Sequence, residues 1–520
     1  MDQFISKTKI KEKYPSYASL KNCRKLKPTR AKIVLIHPGS IDNKKSAKKR
    51  LYNDLSAASS MHPPQSLCSL ASILRESGYN PIILDSVSLN LDPDETAEKA
   101  LKSDPKYIGI TSYTISIEVA GRIASLIKGK TEYRDKSIIT IIGGPHVTVS
   151  PRETMYKYSE FDYGVFGEGE ITIVELLDAL ENGEELINIP NLIYRKGNQI
   201  RKNLKRSLLN DLDQLPIPAW DLLPPIKKYY HPAGDNLNRL PSIAIVTSRG
   251  CPGKCVFCNP RGLGNKFRGH SAKYIFKMLR ELKLKFGIRD VFIADDMFLY
   301  DRKNVLEFCE IMKGSKDLNI TWSVFSRVDF VDKEILIKIK KAGCWQIGYG
   351  LESGSEAIQK IINKKQTIEQ MENALKATND VGLIVRGLFM VGNFGETEET
   401  LKETIAFIKR NGIKDFHVTY FTPMPGTASF SLHKQFGVWD NENSEGSDKS
   451  QHEITFVPFG LTKKELIAYQ RKIYLALLLK APTIWYHFKK VFRPSLTLFI
   501  IKGGIAFLMY ILFSKYKKID

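Results

Sequence analysis

Apolar residues along this chain fall into short runs that alternate with stretches of helical spacing, and the exchange repeats along most of its length. In the first third, Ile33–Ile36, Pro81–Leu84, Tyr107–Ile110 and Ile138–Ile142 read as strands. Ser66–Ser77 and the stretch around Val119–Ile127 read as helices between them. Gly78 stands where a helix end favours a left-handed residue. Strands separated by helices predict an α/β module, from about Lys32 to about Glu184, built on a doubly wound parallel sheet. Such sheets bind ligands beyond the carboxyl ends of their strands.

A second series follows. Strands are expected at Ile243–Thr247, Val291–Ala294, Ile320–Val324, Gln346–Gly350, Val385–Val391 and Phe416–Tyr420, with a helical pattern between each pair. Six such units predict a partial (βα)6 barrel of TIM type that stays open. A proline-rich stretch, Leu215–Trp220, marks the connector, and the polar Asp440–Gln451 introduces a tail. There Thr462 and Glu465 form a capping box for a helix of about Lys463–Leu479. The expected organisation is a basic arm over 1–30, a first module over 31–185, a connector over 186–240, a barrel over 241–432 and a helical extension over 433–520.

The length of 520 residues exceeds one ordinary core, and an apolar fraction of 43% is that of a globular chain. The net charge of +22 constrains partners and not the fold. An anionic membrane, nucleic acid, an anionic substrate, or plain solvated lysine faces all accommodate it. The N-terminal arm lacks the apolar run of a signal peptide, so a cytoplasmic protein is expected. Seven cysteines (Cys23, Cys68, Cys251, Cys255, Cys258, Cys309, Cys344) are odd in number and mostly scattered, which argues against a secreted disulfide framework.

Only Cys251, Cys255 and Cys258 cluster, in one tight loop after a strand. Three thiolates on a four-iron cube leave one iron without a protein ligand, and an open coordination site is what a reactive centre needs. A zinc site with His270 as fourth ligand is the rival. With its aromatic Phe257 before the last cysteine, the loop resembles that of the radical S-adenosylmethionine (SAM) superfamily, and the likeness runs from about Pro241 to Thr427. The resemblance implies a [4Fe-4S] cluster whose open iron is chelated by SAM, which is cleaved reductively to a 5′-deoxyadenosyl radical. It also implies an electron donor such as ferredoxin or flavodoxin. SAM contacts are then expected from Asp295 or Asp296, Ser326, Glu352 and Ser353, Arg386 and the glycine-rich turn beginning at Gly392. Arg386 is the candidate partner of the methionine carboxylate.

The first module is similar to the cobalamin-binding domain that precedes the barrel in one large radical SAM subfamily. The residues that carry this likeness are His37, Pro38 and Gly39; Pro63, Pro64, Gln65, Ser66 and Leu67; Thr111, Ser112 and Tyr113; Gly143, Gly144, Pro145 and His146; and Gly167, Glu168, Gly169 and Glu170. Paired glycines at a strand end would let a bulky ligand meet the backbone, and Thr111 and Ser112 would hydrogen-bond the nucleotide tail. A flavodoxin-like domain binding another nucleotide, or none, is the alternative. The nearest imitation of the Asp-x-His-x-x-Gly cobalt-ligand motif, Asp415-Phe416-His417, lacks its glycine and lies in the barrel. No cobalt ligand is expected from it, and His37 and His146 are expected to be structural.

Leu496–Phe513 is almost wholly apolar but broken by Lys502-Gly503-Gly504 and flanked by basic residues. A mid-span lysine disfavours a spanning helix, which leaves a core helix or an interfacial one peripheral on the inner membrane face. Three functional classes fit the whole chain. The first is a cobalamin-dependent methyltransferase acting on an unactivated carbon of an apolar, lipid-like or natural-product molecule. The second is a radical oxidoreductase or cyclase, and the third a non-catalytic cobalamin sensor. The intact cysteine triad argues against a sensor, and the lack of a second triad argues against a methylthiotransferase. The methyltransferase is the reading preferred here, with a small-molecule or lipid substrate and no nucleic-acid partner.

Overall fold

The computed structural model describes residues 31–39, 61–131, 137–232, 236–259, 264–439 and 454–493, together with 497 and 501. The arm over 1–30, the polar stretch 440–451 and nearly all of 496–513 lie outside the described residues.

The first module is a seven-stranded sheet. Its strands are β1 (Lys32–His37), β2 (Asn80–Asp85), β3 (Tyr107–Thr111), β4 (Ile139–Gly143), β5 (Tyr163–Val165), β6 (Leu192–Lys196) and β7 (Gln199–Lys202). Strands β1 to β5 are parallel in the order β2-β1-β3-β4-β5, the doubly wound arrangement expected of a flavodoxin-like sheet. Continuous apolar sequence in β1 follows from burial on both faces: Ile33 and Leu35 enter one core, Val34 and Ile36 the other. Helix α1 (Gln65–Glu76) covers one face and ends as expected, with Gly78 at φ 85°. Helices α2 (Pro93–Lys102) and α3 (Ile117–Thr131) pack together on the other. Beyond α4 (Glu170–Asn182), β6 and β7 add an antiparallel edge to this sheet, although they lie within the segment read as connector.

The second module is an open, curled sheet of six parallel strands in sequence order. They are β8 (Ser242–Ile245), β9 (Asp290–Ile293), β10 (Thr321–Ser326), β11 (Cys344–Glu352), β12 (Ile384–Val391) and β13 (Asp415–Tyr420). Each strand-to-strand crossover carries a helix: α5 (Ala272–Phe286), α6 (Arg302–Gly314), α7 (Lys333–Lys341), α8 (Ile368–Val381) and α9 (Glu398–Arg410). The connector joins the two modules in one core. Trp220, Leu223 and Tyr230 are buried together with Leu67 and Leu74 of α1 and Ile275 of α5.

In the tail, α10 (Lys463–Leu478) begins with the expected capping box of Thr462 and Glu465 and packs on α9. Helix α11 (Ala481–Val491) bridges the open seam of the barrel. Its buried Lys490 lies 3.9 Å from Asp415 of the last strand, while Arg493 donates to the Asn238 side chain at 2.5 Å, just before the first. Among the described residues no helix is long and apolar enough to cross a membrane.

Candidate active site between the two modules

The cysteine loop after β8 is pinned on several sides. Val256 donates its N–H to Ile362 O at 3.0 Å and accepts from Ser429 N at 2.9 Å, and Asn363 Nδ2 donates to Lys254 O at 2.9 Å. Cys251, Cys255 and Cys258 are all free thiols. A Cβ on Gly253 would stand 3.2 Å from Cys251 Sγ and 4.0 Å from Cys255 Sγ, so glycine leaves both sulfurs facing one common space. Burial pushes the Cys251 thiol up and the Cys258 thiol up to about 12, with the Asp296 charge adding to both. Such thiols ionise when a metal supplies the missing positive charge.

Among the described residues no three His, Cys, Asp or Glu side chains converge on one ion. A cube does not ask for that convergence, since each thiolate binds a separate iron. His270, the fourth ligand of the zinc alternative, is committed elsewhere. Its Nδ1 lies 3.0 Å from Asp213 Oδ1 and its ring stacks on Tyr274 at 4.0 Å.

The barrel strand ends divide into residues that face this loop and residues that hold the frame. Asp295 belongs to the frame: its carboxylate accepts from Thr247 N at 2.6 Å and Thr247 Oγ1 at 2.5 Å, tying β9 to β8. Asp296 is the acid whose charge the thiols feel. Ser353 is also frame, exchanging a 3.0 Å hydrogen bond with Thr404, and Ser326 donates to the Arg327 carbonyl at 3.0 Å. Glu352 forms an ion pair with Lys364, whose Nζ stands 5.7 Å from the Phe257 ring within the cysteine loop. Its backbone is left-handed at φ 62°, strained for a residue with a side chain and of the kind that clusters at functional sites. Gly350 leaves room for this pair, because a Cβ there would meet Lys364 Nζ at 2.6 Å. Arg386 is buried in register between Gly348 and Asp415. Gly392, at φ 90°, gives its N–H to the buried Glu396.

The first module's strand ends meet the barrel beside this loop, and several residues expected to contact the cofactor hold protein contacts there. Glu168 accepts from Arg249 at 3.0 Å and from Arg268 at 2.8 Å, and Glu170 accepts from Arg249 at 2.5 Å. Both carboxylates thus grip the strand that leads into the cysteine loop. Gly144 was expected to admit a ligand, yet at φ 105° its missing Cβ faces Ser112 O at 2.7 Å and Ser112 N at 2.8 Å. It serves packing of the sheet on itself. Ser112 Oγ is likewise turned inward, donating to Gly143 O at 3.2 Å, and Thr111 Oγ1 lies beside Gly144. Gly143 has more room, its nearest contact being Val165 O at 3.6 Å. Gly167 donates to Thr148 Oγ1 at 2.9 Å and Gly169 caps α4. Pro64 caps α1, Leu67 is core, and Pro145 opens the short helix after Gly144. Gly39 is buried beyond β1, and His37 bonds Asp85 at 2.9 Å. His146 lies 3.3 Å from Thr114 Oγ1.

Known proteins share both modules. Residues 245–408 match the Radical SAM superfamily model, and residues 55–177 match the B12 binding domain model. "Uncharacterized methyltransferase PH0819" of Pyrococcus horikoshii is 34% identical over 397 residues, covering 76% of this chain and 82% of that protein. The chain belongs to the cobalamin-dependent radical SAM methyltransferase family. An anaerobic magnesium-protoporphyrin IX monomethyl ester cyclase of Rubrivivax gelatinosus is 27% identical over 388 residues, 73% of this chain and 68% of that one. The fold matches the cobalamin-dependent SAM radical enzyme OxsB, solved with aqua-cobalamin and SAM bound, at a TM-score of 0.67 and 18% identity. That match covers 94% of this chain and 73% of OxsB.

The cofactors of this family member are therefore SAM, a [4Fe-4S] cluster and cobalamin. The three thiols fit the cluster in donor chemistry, with Cys251 and Cys255 flanking the open side of Gly253 and Cys258 close enough for their charges to raise its thiol. Sequence reasoning missed Arg249, Arg268, Lys364 and His62. Arg249 had a signal, being a charged residue that closes an apolar run just before the cysteine loop, whereas Arg268 lies in a polar stretch and had none. His62 had none. Its ring meets Phe292 of the barrel edge-on at 5.9 Å. Desolvation there, then His231 and Arg386, holds its imidazole below the ordinary value.

Proposed function

We propose that this enzyme moves a methyl group from SAM onto an unactivated carbon of a small apolar molecule, lipid-like or a natural product. When bound, cobalamin would carry the methyl group and the cluster would deliver the electron that generates the radical. The chain's own residues supply position. Cys251, Cys255 and Cys258 would hold the cluster, while Asp296, Glu352 and Arg386 would receive SAM. The observation that carries the reading is the buried link from Glu168 and Glu170 to Arg249, two residues before Cys251. It fixes the strand ends of the cobalamin module against the cluster loop, as two cofactors working on one substrate require. A ferredoxin- or flavodoxin-type donor would supply the electrons.

The likeness to PH0819, a protein named a methyltransferase, supports transfer. The likeness to the magnesium-protoporphyrin cyclase supports ring formation as a second reading. Incubating the reduced enzyme with deuteriomethyl SAM and a lipid extract separates them. Methyl transfer places the intact deuteriomethyl group on a product; an unlabelled, oxidised or cyclised product points to the second reading.

A further inference from the structure

The surface of the tail holds a feature the cofactor chemistry does not use. On α11 and its C-cap, Trp485, Phe488 and Phe492 are 56%, 51% and 69% exposed, with Ile484 beside them; Trp485 stacks on Phe488 at 5.8 Å and Phe488 meets Phe492 edge-on at 4.8 Å. Spacings of three and four residues put them on one helix face. The opposite face is fixed to the barrel through Thr483, which donates to Ile413 O at 3.2 Å, and through buried Lys490. The aromatic stripe is therefore presented outward by a helix that is already anchored. A contiguous stripe of this kind on a soluble surface marks an interaction site.

Charge tells which kind. Residues 463–493 carry eight Lys or Arg against the single acid Glu465. Lys489 Nζ sits 4.8 Å over the Trp485 ring, so a cation stands at the edge of the apolar stripe. Next to α11, a groove of about 470 Å³ opens between α9 and α10. It is lined by the apolar Ile405, Leu475 and Leu479 and by Lys409 and Lys472, while Lys480 turns its ammonium to the Ile408 and Asn411 carbonyls. Leu475 and Leu479 are themselves exposed. An apolar lining beside two ammonium groups matches an anionic amphiphile, with acyl chains on the first and a phosphate on the second. Aromatic side chains beside lysines match the headgroup level of a bilayer.

We propose that the α10–α11 face docks this enzyme on an anionic phospholipid surface, with Trp485, Phe488 and Phe492 entering the interface and Lys409 and Lys472 binding lipid phosphate. This surface is distinct from the cofactor site, so its success or failure leaves the methyl-transfer reading untouched. It bears on substrate supply, since a docked enzyme meets apolar molecules where they reside.

The test uses the full chain loaded with its cofactors, in flotation with vesicles of phosphatidylcholine alone or containing phosphatidylglycerol. The parent is expected to float with the anionic vesicles at low salt and to be released as salt screens the lysines within about 10 Å. Trp485→Ser with Phe488→Ser should weaken binding at least about tenfold at unchanged iron and corrinoid content. Lys409→Gln and Lys472→Gln should each cost about fivefold on anionic vesicles only. Trp485 emission, read against the Trp485→Ser background, should shift to the blue and be quenched by brominated acyl chains. A parent that ignores anionic vesicles at low salt, or aromatic variants that bind as well as the parent, would overturn the proposal. So would an unquenched Trp485 together with a dimer that the aromatic variant dissolves, since the occupant would then be a second copy. Trp485 shielded from aqueous quenchers without vesicles, and freed by truncation after Arg493, would assign the stripe to the chain's own C-terminal segment and equally overturn it.

Discussion

Arg249 bridges Glu168 at 3.0 Å and Glu170 at 2.5 Å, with all three side chains largely buried where the cobalamin-binding module meets the barrel. Burial works against every charge in this group, but the arginine more than offsets it at Glu170 and holds that carboxyl below its usual range. Removing one partner of a buried pair leaves the other uncompensated, typically at about 3–5 kcal/mol. Arg249→Met should therefore lower the Tm by several degrees and loosen the corrinoid while leaving the three cysteines in place. Thermal unfolding and corrinoid retention on gel filtration check both effects. The acid dependence has a defined sign. A depressed carboxyl contributes stability above its unfolded pKa of about 4.3, and that contribution is lost as pH falls below it. The Arg249→Met variant should lack this acid-side slope.

Gly144 and Gly143 make separable predictions. Gly144→Ala combines a left-handed backbone with a Cβ 2.7 Å from Ser112 O, so it should destabilise the module by about 2–4 kcal/mol. Because the clash is internal, the drop in Tm should be the same with and without corrinoid. Gly143→Ala has ordinary room at 3.6 Å and should keep the apoprotein's Tm. Corrinoid affinity of this second variant then reports whether the strand end is approached by the cofactor.

Glu396 lies fully buried in the turn after β12, accepting from Gly392 N and from Asn393 N at 3.1 Å. Burial raises its carboxyl to about 7. A raised carboxyl favours the fold when protonated, so its contribution is complete below about pH 4.3 and is lost as pH rises through 7. Glu396→Gln should flatten that slope by up to roughly 3 kcal/mol between pH 5 and 8. A series of Tm measurements across this range reads it directly.

The fold was legible because its signals are local. Apolar runs such as Ile33–Ile36 and Val385–Val391 match strands within a residue or so, and the capping box at Thr462 fixed the start of α10. The helix Pro93–Lys102 was not read, since it is short and rich in charge, although its Asp92–Glu95 capping box was there to find. Strand β6 pairs with β5 and β7 with β6, a tertiary relationship the sequence does not display. At the site, the cysteine spacing together with the motifs at the strand ends pointed to the cluster chemistry. Which acid of Asp295-Asp296 serves the frame, and whether Glu168 meets cofactor or arginine, depends on contacts up to 100 residues apart in sequence.

The central claim is that one chain holds an iron–sulfur cluster on Cys251, Cys255 and Cys258 and a corrinoid on the adjoining module. Anaerobic reconstitution with iron, sulfide and cobalamin, followed by iron and corrinoid counting, tests it most directly. About four irons and one corrinoid per chain are expected. Replacing the three cysteines by Ala should give a folded protein that keeps the corrinoid, binds no cluster and no longer cleaves SAM. Four irons in that triple variant, or no corrinoid in the parent, would contradict it.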